Sequence, residues 1–268
     1  MIFNMKCKIC NSISKKLNQV KVMDRYQSNL SHCNNCDYLF LENPFWLNEA
    51  YKEPINISDT GIMDRNINLA AKLSVLIYFF FDKKKSFLDA SGGYGILTRL
   101  MRDHGFDFYW SDKYCENILA KGFESEKNNI ENFELITLFE VLEHVENPID
   151  FITDLLKKNK SKTLIFSTCL FPNKNPPSLD WWYYSFIEGQ HISFYSEVTF
   201  KYIARKLNLH FYSLGGLYIL SEKKINFLIY KKIIFGNFFS KFFQVFLRKF
   251  NQSLIMHDHN KLINKIKL

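Results

Sequence analysis

Residues 86–221 alternate short, apolar, β-rich runs with stretches that carry apolar side chains at helical spacing. This alternation is typical of a parallel sheet whose connecting helices cover both faces. The predicted strands cover residues 87–90, 108–111, 133–139 and 163–168, followed by a hairpin over 209–221. The sequence therefore predicts an α/β domain with a doubly wound, mostly parallel sheet.

Local chemistry divides the chain into four segments. A loop around Pro54 and a helical pattern that ends in the charged run 82–85 separate the α/β domain from what precedes it. We predict a zinc-binding knuckle over 1–45, a linker and helix over 46–85, the α/β domain over 86–221 and a basic, aromatic-rich helical tail over 222–268.

The first segment contains two Cys-x2-Cys pairs, Cys7 with Cys10 and Cys33 with Cys36, separated by 22 residues. Each pair can form a tight turn whose thiolates point the same way, so two pairs can close a tetrahedron around one zinc ion. Two disulfides are disfavoured in a reducing compartment, and a redox-active pair is disfavoured because the motif occurs twice. We expect the zinc to be structural, because so short a segment has little core of its own.

The formal charge of +8 belongs to one end of the chain. Residues 221–268 hold ten basic side chains against Glu222 and Asp258, whereas the 25 basic and 25 acidic residues before them balance. The N-terminus has no signal-peptide pattern, and the apolar run from Val75 to Phe81 is too short to span a bilayer. We therefore expect a cytoplasmic protein with reduced thiols.

Residues 225–250 interleave Phe and Ile with Lys and Arg. This pattern predicts either a helix at the inner face of an anionic membrane or a helical pair that packs on the domain or on a second subunit of a homodimer. Nucleic acid is the less favoured partner. We treat this tail as separable from the charge-balanced part, which suits an enzyme with a small-molecule substrate.

A nucleotide site is predicted at the ends of the first two strands of the α/β domain. Asp89 ends the first strand and leads into a glycine-rich turn, whose backbone amides and small side chains let a ligand approach closely. Asp112 ends the next strand, where its carboxylate can take two hydrogen bonds from ribose hydroxyls. Thr98 stands where nicotinamide-binding turns have their third glycine, so a dinucleotide is disfavoured.

These residues resemble the class I S-adenosylmethionine-dependent methyltransferases. The run from Asp89 to Gly95 is similar to the first motif of that family, although Ser91 replaces the usual first glycine. Residues 139–148, which read Phe-Glu-Val-Leu-Glu-His-Val-Glu-Asn-Pro, are very similar to the segment after the family's fourth strand, and residues 190–196 resemble a later segment of one subgroup. The resemblance covers roughly residues 1–215.

The resemblance implies a Rossmann-like methyltransferase fold and S-adenosylmethionine as the cofactor. Members with a four-cysteine knuckle methylate sugars or other small metabolites, often in bacterial surface-glycan pathways, so a sugar or nucleotide sugar is the implied acceptor. The implied cofactor-binding residues are Asp89, Ser91, Gly92, Gly93, Tyr94, Gly95, Asp112, Lys113, Phe139 and Glu140. The acid that contacts adenine stays open among Glu124, Glu126 and Glu131.

Two histidines are candidates for a general base that takes a proton from the acceptor. His144 follows the fourth strand, although it could instead cap or brace the next helix, and His191 follows an aromatic stretch. We predict that residues 169–189, with two tryptophans, cover the acceptor, and the alternative is a patch that packs on the core or on a second subunit. A non-catalytic module with a degenerate methyltransferase fold and an RNA methyltransferase are the alternative functions.

Overall fold

The structure is a computed structural model that describes residues 5–52, 55, 57–226 and 251–267. The described strands are β1 (Lys15–Val22), β2 (Tyr26–Cys33), β3 (Tyr38–Leu41), β4 (Phe87–Ala90), β5 (Phe108–Ser111), β6 (Ile136–Phe139), β7 (Thr163–Ser167), β8 (Ser193–Phe194), β9 (His210–Leu214) and β10 (Leu217–Ser221). The described helices are α1 (Leu47–Ala50), α2 (Ile62–Phe80), α3 (Ile96–Asp103), α4 (Pro148–Lys158), α5 (Glu197–Lys206) and α6 (Ile255–Ile266), with short 3-10 helices at Leu142–His144 and Trp182–Tyr184.

The larger sheet has the strand order β5-β4-β6-β7-β10-β9. β4 pairs in parallel with β5 and β6, whereas β9 and β10 form the predicted antiparallel hairpin. β4, β7 and β10 are buried along their whole length, as strands covered on both faces are. The predicted α/β fold with a central sheet is confirmed.

The ends of several elements follow local chemistry. The backbone N–H of Thr199 donates to Ser196 Oγ at 3.3 Å, so α5 begins with the capping residue that its sequence predicts. Gly105 follows α3 with φ of +86°, the left-handed conformation in which many helices end. The strand predicted over 133–139 is shorter than expected: β6 begins at Ile136, and the preceding Glu134 binds Lys85 Nζ at 3.0 Å.

The chain forms two compact units. The cysteine unit consists of Met1–Asn56, Phe139–Lys157 and Phe166–Glu222. The glycine unit consists of Ile57–Leu138, Lys158–Ile165 and Lys223–Leu268. The boundaries predicted at residues 45, 85 and 221 stay predictions.

The cysteine unit contains a four-stranded antiparallel sheet with the order β1-β2-β3-β8. β1 and β2 form a hairpin whose turn holds Met23 and Asp24 at positive φ. The buried side chains of this unit include Val22, Leu30, Leu39, Trp46, Phe171, Tyr184 and Phe194. The core of segment 1–45 is therefore larger than the sequence predicts, because residues 171–194 pack into it.

The glycine unit includes α6, which confirms a helical C-terminal tail. Asp258 on α6 is 2% exposed and accepts hydrogen bonds from Nε and Nη2 of the buried Arg102 at 2.7 and 2.8 Å. α6 is therefore bonded to the rest of the glycine unit through Asp258, and the separability of the tail stays a prediction. Residues 227–250, which hold most of the basic, apolar pattern, lie outside the described residues, so membrane or subunit contact stays a prediction. In the described part of the chain, no helix is long and apolar enough to cross a membrane.

Candidate functional site

In the glycine unit, the turn after β4 is packed tightly against the end of β5. A Cβ atom on Gly92 would lie 2.8 Å from both Asp89 Oδ2 and Trp110 Cδ1, which a side chain cannot tolerate. Trp110 Nε1 donates to the carbonyl oxygen of Gly93 at 2.9 Å, and the backbone N–H of Gly93 donates to Asp112 Oδ2, also at 2.9 Å. The structure therefore brings the glycine turn and Asp112 together, as a nucleotide site requires.

Asp112 is held with its carboxylate in one orientation. Its Oδ1 accepts from the backbone N–H groups of Tyr114 and Cys115 at 2.7 and 2.9 Å. A carboxylate offers about four lone-pair positions, and these two N–H groups and that of Gly93 take three of them, so about one stays open for a ligand hydroxyl. Ser91, Tyr94 and Lys113, which were also predicted to bind the cofactor, are exposed side chains of this unit.

Asp89 has an interior position in the glycine unit. Its carboxylate is 3% exposed and accepts from Thr98 Oγ1 and Thr137 Oγ1, each at 3.0 Å. Burial raises the pKa of Asp89 to about 7, although both hydroxyls partly oppose this. This carboxylate therefore supports the turn from the inside of the unit. Thr98, which in the sequence only marks a departure from the dinucleotide pattern, is one of its two donors.

The three acids proposed for adenine differ in their surroundings. The Glu124 side chain is 12% exposed and accepts from Asn117 Nδ2 and the backbone N–H of Gly122, each at 3.1 Å. The backbone of Glu124 forms an isolated parallel β-bridge with Trp110 of β5. The side chains of Glu126 and Glu131 are 78% and 71% exposed. Of the three, Glu124 is the one fixed beside β5.

A second cluster of functional groups lies in the cysteine unit, where the chain leaves β6. Phe139 is the last residue of β6, and Glu140 follows it with φ of +52°. Glu140 Oε1 accepts from Ser167 Oγ at 2.5 Å, and the Glu140 backbone N–H donates to the same hydroxyl at 3.2 Å. Glu140, which the sequence predicts to bind the cofactor, is thus hydrogen-bonded to the last residue of β7.

The structure brings together the two histidines that the sequence singles out. Their ring centroids are 4.9 Å apart, with the rings at 81°. His144 Nδ1 donates to the carbonyl oxygen of Gln190 at 3.1 Å, and His191 Nδ1 donates to that of Tyr183 at 2.7 Å. Because a carbonyl only accepts, the His191 ring carries its proton on Nδ1 and keeps the lone pair on Nε2, whereas the His144 ring also makes a hydrogen bond with the Glu140 backbone. Burial lowers the pKa of His191 and brings that of His144 to about 3, so both rings are neutral.

Glu143 belongs to the same cluster, and sequence reasoning gave it no role. It is fully buried, and its Oε1 accepts from the Tyr183 hydroxyl at 2.7 Å. Its side chain also lies within hydrogen-bonding reach of the Glu140 carboxyl. Burial, reinforced by the charge of Glu140, raises the pKa of Glu143 well above its usual value. The signal that could have found it is its place beside His144, three residues after Glu140.

The aromatic segment 169–189 has an inner and an outer face. Tyr183 and Tyr184 are buried, and the Tyr184 ring stacks on Phe186 with centroids 4.9 Å apart. Trp182 and Ile187 are 75% and 73% exposed. The segment is therefore partly core, as one alternative predicted, and only its outer face is free to meet an acceptor.

The four cysteines of the cysteine unit form a single cluster. The Sγ atoms of Cys7 and Cys36 are 3.5 Å apart and those of Cys10 and Cys33 are 3.3 Å apart, and all four lie within 4.8 Å of one another. A disulfide bond is about 2.05 Å long, whereas a tetrahedron with zinc–sulfur bonds of about 2.3 Å has edges of about 3.8 Å. The four thiols therefore fit one zinc ion and are not paired as disulfides.

The model of a methyltransferase-domain family matches residues 63–214. No protein of curated function matches the chain.

Several solved structures are similar to the chain at low sequence identity. An O-methyltransferase family protein from Burkholderia thailandensis is 12% identical with a TM-score of 0.40, over 59% of this chain and 55% of that one. An O-methyltransferase family 2 protein from Planctomyces limnophilus, in complex with apigenin, is 13% identical with a TM-score of 0.39, over 64% of each chain. Magnesium protoporphyrin IX methyltransferase from Synechocystis, with bound SAH, is 16% identical with a TM-score of 0.40, over 66% of this chain and 94% of that one.

This chain thus spans little more than half the length of the first of these structures. The family match, in contrast, extends over more than half of the chain itself. The chain belongs to the methyltransferase-domain family.

Proposed function

We propose that the protein transfers a methyl group from S-adenosylmethionine to a small acceptor. The observation that carries the proposal is the position of Asp112, whose Oδ2 lies 2.9 Å from the backbone nitrogen of Gly93. An acid in this position can hold a ribose hydroxyl, as in other nucleotide sites at the carboxyl ends of parallel strands. Glu124, which accepts from Asn117 Nδ2 and bridges to Trp110 of β5, is the acid that we assign to adenine.

The chemistry that the cofactor would supply is a methyl group on a sulfonium, which an acceptor atom attacks in line with the carbon–sulfur bond. For such a reaction, most of the barrier reduction comes from orientation, worth up to about 7–11 kcal/mol in well-oriented systems. Asp112 and the turn around Gly92 contribute by binding and orienting. An acceptor hydroxyl must in addition lose a proton.

Binding of S-adenosylhomocysteine tests the cofactor part of the proposal. We expect the full chain to bind it in isothermal titration. Asp112→Ala removes a hydrogen bond from a ribose hydroxyl to a charged group and should weaken binding by about 1.5–3 kcal/mol, or roughly 10- to 150-fold. Asp154→Ala, an exposed acid on α4, is the matched control and should bind as the wild type does. Absence of binding, or equal affinity in both variants, would contradict the proposal.

The acceptor that we propose is a sugar or nucleotide sugar. The exposed Trp182 ring packs edge-on against Tyr183 at 5.2 Å, and aromatic faces suit the apolar faces of sugar rings. Tyr183 connects this surface to the histidines, because its carbonyl oxygen accepts from His191 Nδ1. The link to bacterial surface glycans rests on the sequence resemblance alone.

We further propose that the histidine pair takes the proton from the acceptor, because a neutral ring whose Nδ1 donates to a carbonyl keeps its lone pair on Nε2. His191→Ala should lower kcat by about 10²- to 10⁴-fold, the usual contribution of a general base, without changing the affinity for S-adenosylhomocysteine. His210→Ala, at an exposed position of β9, is the control. Methyl transfer from radiolabelled S-adenosylmethionine to candidate nucleotide sugars is the measurement. Cofactor binding with no transfer to any of them would favour a non-catalytic module.

Zinc in the four-cysteine cluster is the remaining part of the proposal. With four protein thiolates, the ion has no open position, so its role would be structural. Cys7 and Cys10 precede the sheet, whereas Cys33 ends β2 and Cys36 lies in the turn to β3. The ion would therefore tie the first described residues to the centre of the four-stranded sheet.

A further inference from the structure

Three potential metal ligands lie close together in the cysteine unit. One candidate ligand atom from each of Glu143, His144 and His191 lies within 4.8 Å of the other two. Both Nδ1 atoms are engaged by backbone carbonyls, at 3.1 Å for His144 and 2.7 Å for His191. Histidines that bind metals are held in this way, because the carbonyl fixes the tautomer and leaves Nε2 for the ion.

The buried carboxyl of Glu143 distinguishes this cluster from two histidines that only pack together. It is fully buried, the Tyr183 hydroxyl donates to its Oε1, and the Glu140 carboxyl lies within hydrogen-bonding reach of it. Two carboxyl groups this close repel each other when both are ionised. A cation would offset this repulsion and the cost of burying the charge.

We infer that Glu143, His144 and His191 together bind one divalent transition-metal ion, which in turn binds the acceptor's oxygen atom. Two imidazoles and one carboxylate suit Mn²⁺, Fe²⁺, Co²⁺ or Zn²⁺, whereas the thiolates of the four-cysteine cluster select zinc. Three protein ligands leave coordination positions open for an outside ligand. The two metal sites would thus differ in ligand type and in role.

The inference rests on the proposed methyl transfer and deepens it. With an ion bound, both Nε2 lone pairs are ligands, so the ion replaces the free imidazole in activating the acceptor. A coordinated hydroxyl loses its proton more readily, because the ion lowers its pKa. This role uses both neutral histidines and Glu143, whereas a single histidine base needs only one ring.

Manganese binding to the full-length protein tests the inference. One equivalent of Zn²⁺ first fills the cysteines, and Mn²⁺ is then titrated and followed by electron paramagnetic resonance. We expect one bound Mn²⁺ per chain, with ¹⁴N couplings from imidazole in the pulsed spectrum. Glu143→Gln keeps the side-chain shape and an acceptor for Tyr183, yet should weaken Mn²⁺ binding at least about tenfold, since even a neighbour of a ligand contributes 10- to 100-fold.

The matched control is Asp150→Asn, an exposed acid on α4, which should bind Mn²⁺ like the wild type. No stoichiometric Mn²⁺, or bound Mn²⁺ without ¹⁴N couplings, overturns the inference in the wild-type protein, independently of how any variant folds. If Mn²⁺ does not bind but His191→Ala still lowers kcat, the metal is rejected and the histidine base stands. If the protein fails to bind S-adenosylhomocysteine, the proposed function falls while the manganese result is judged separately.

Discussion

Replacing Cys33 by serine is expected to remove the zinc from the protein and to lower its melting temperature by more than about 10 °C. Cys33 ends β2, and Cys33 Sγ lies 3.3 Å from Cys10 Sγ, so this thiol joins the two halves of the cluster. Structural zinc contributes roughly 10–16 kcal/mol to the folding of isolated zinc-finger peptides. Losing part of such a contribution exceeds the effect of most single substitutions.

Hydrogen bonds of the surrounding sheet limit the destabilisation caused by loss of zinc, but they do not take over the role of the ion. The Tyr38 hydroxyl and Ser193 Oγ are 2.6 Å apart, and Thr199 Oγ1 donates to the carbonyl oxygen of Asp37 at 2.8 Å. These bonds hold the Cys36 turn even without metal, whereas Cys7 and Cys10 depend more on the ion. We therefore expect residues near the first cysteine pair to become sensitive to protease before the rest of the unit does.

Zinc content by mass spectrometry of the purified protein and thermal unfolding, each with and without a chelator, are the measurements. Cys115→Ser is the matched control, because it makes the same change at a cysteine outside the cluster. Unchanged zinc content in Cys33→Ser would contradict the site. A wild-type protein that contains a disulfide between Cys7 and Cys36 in place of metal would do the same.

The sequence predicts the local features of the cysteine unit, but it does not predict strands that pair with residues far along the chain. The two cysteine pairs predict a metal knuckle because their spacing is local. β1 is missed because most of its side chains are exposed, so the Lys15–Val22 run has little hydrophobic signal. β8 is missed because Leu39 pairs with Phe194, far along the chain, in a strand of only two residues.

The candidate site likewise contains residues that local sequence predicts and residues whose arrangement depends on long-range packing. The turn after β4 and Asp112 are predictable because a strand, a glycine-rich turn and a helix follow one another in sequence. His144 and His191 can be named from their motifs, but their 4.9 Å ring separation depends on the backbone carbonyls of Gln190 and Tyr183. The position of Glu143 after Glu140 and before His144 is visible in the sequence, but its full burial beside Tyr183 depends on long-range packing.

One of the two acidic residues in the basic C-terminal segment is buried in an ion pair. The sequence assigns the excess of positive charge to residues 221–268, where Asp258 is one of only two acids. In the structure, Asp258 is 2% exposed and binds Arg102, which is 1% exposed, in a bidentate arrangement. Arg99 Nη2 adds a third bond at 2.8 Å. The one acid on α6 therefore anchors that helix.

Asp258→Ala should consequently reduce the free energy of unfolding by about 3–5 kcal/mol, the usual cost of leaving a buried charge without its partner. Arg102 would keep Asp107 Oδ1 and the carbonyl oxygen of Phe108, each at 2.8 Å from Nη1, but Nε and Nη2 would lose their acceptor. Thermal and urea unfolding measure the loss, and Asp154→Ala on α4 is the exposed control.

The double variant Arg102→Met with Asp258→Leu tests whether the loss in Asp258→Ala comes from leaving the Arg102 charge buried without a partner. Replacing both members of a buried pair by apolar residues of similar size is often neutral or stabilising, so this variant should recover most of the stability lost in Asp258→Ala. Deleting residues 222–268 should destabilise the protein at least as much as Asp258→Ala does, because it also removes the packing of α6. If the deletion and Asp258→Ala both leave unfolding unchanged, the tail is separable after all, and its charge must be explained by what it binds elsewhere.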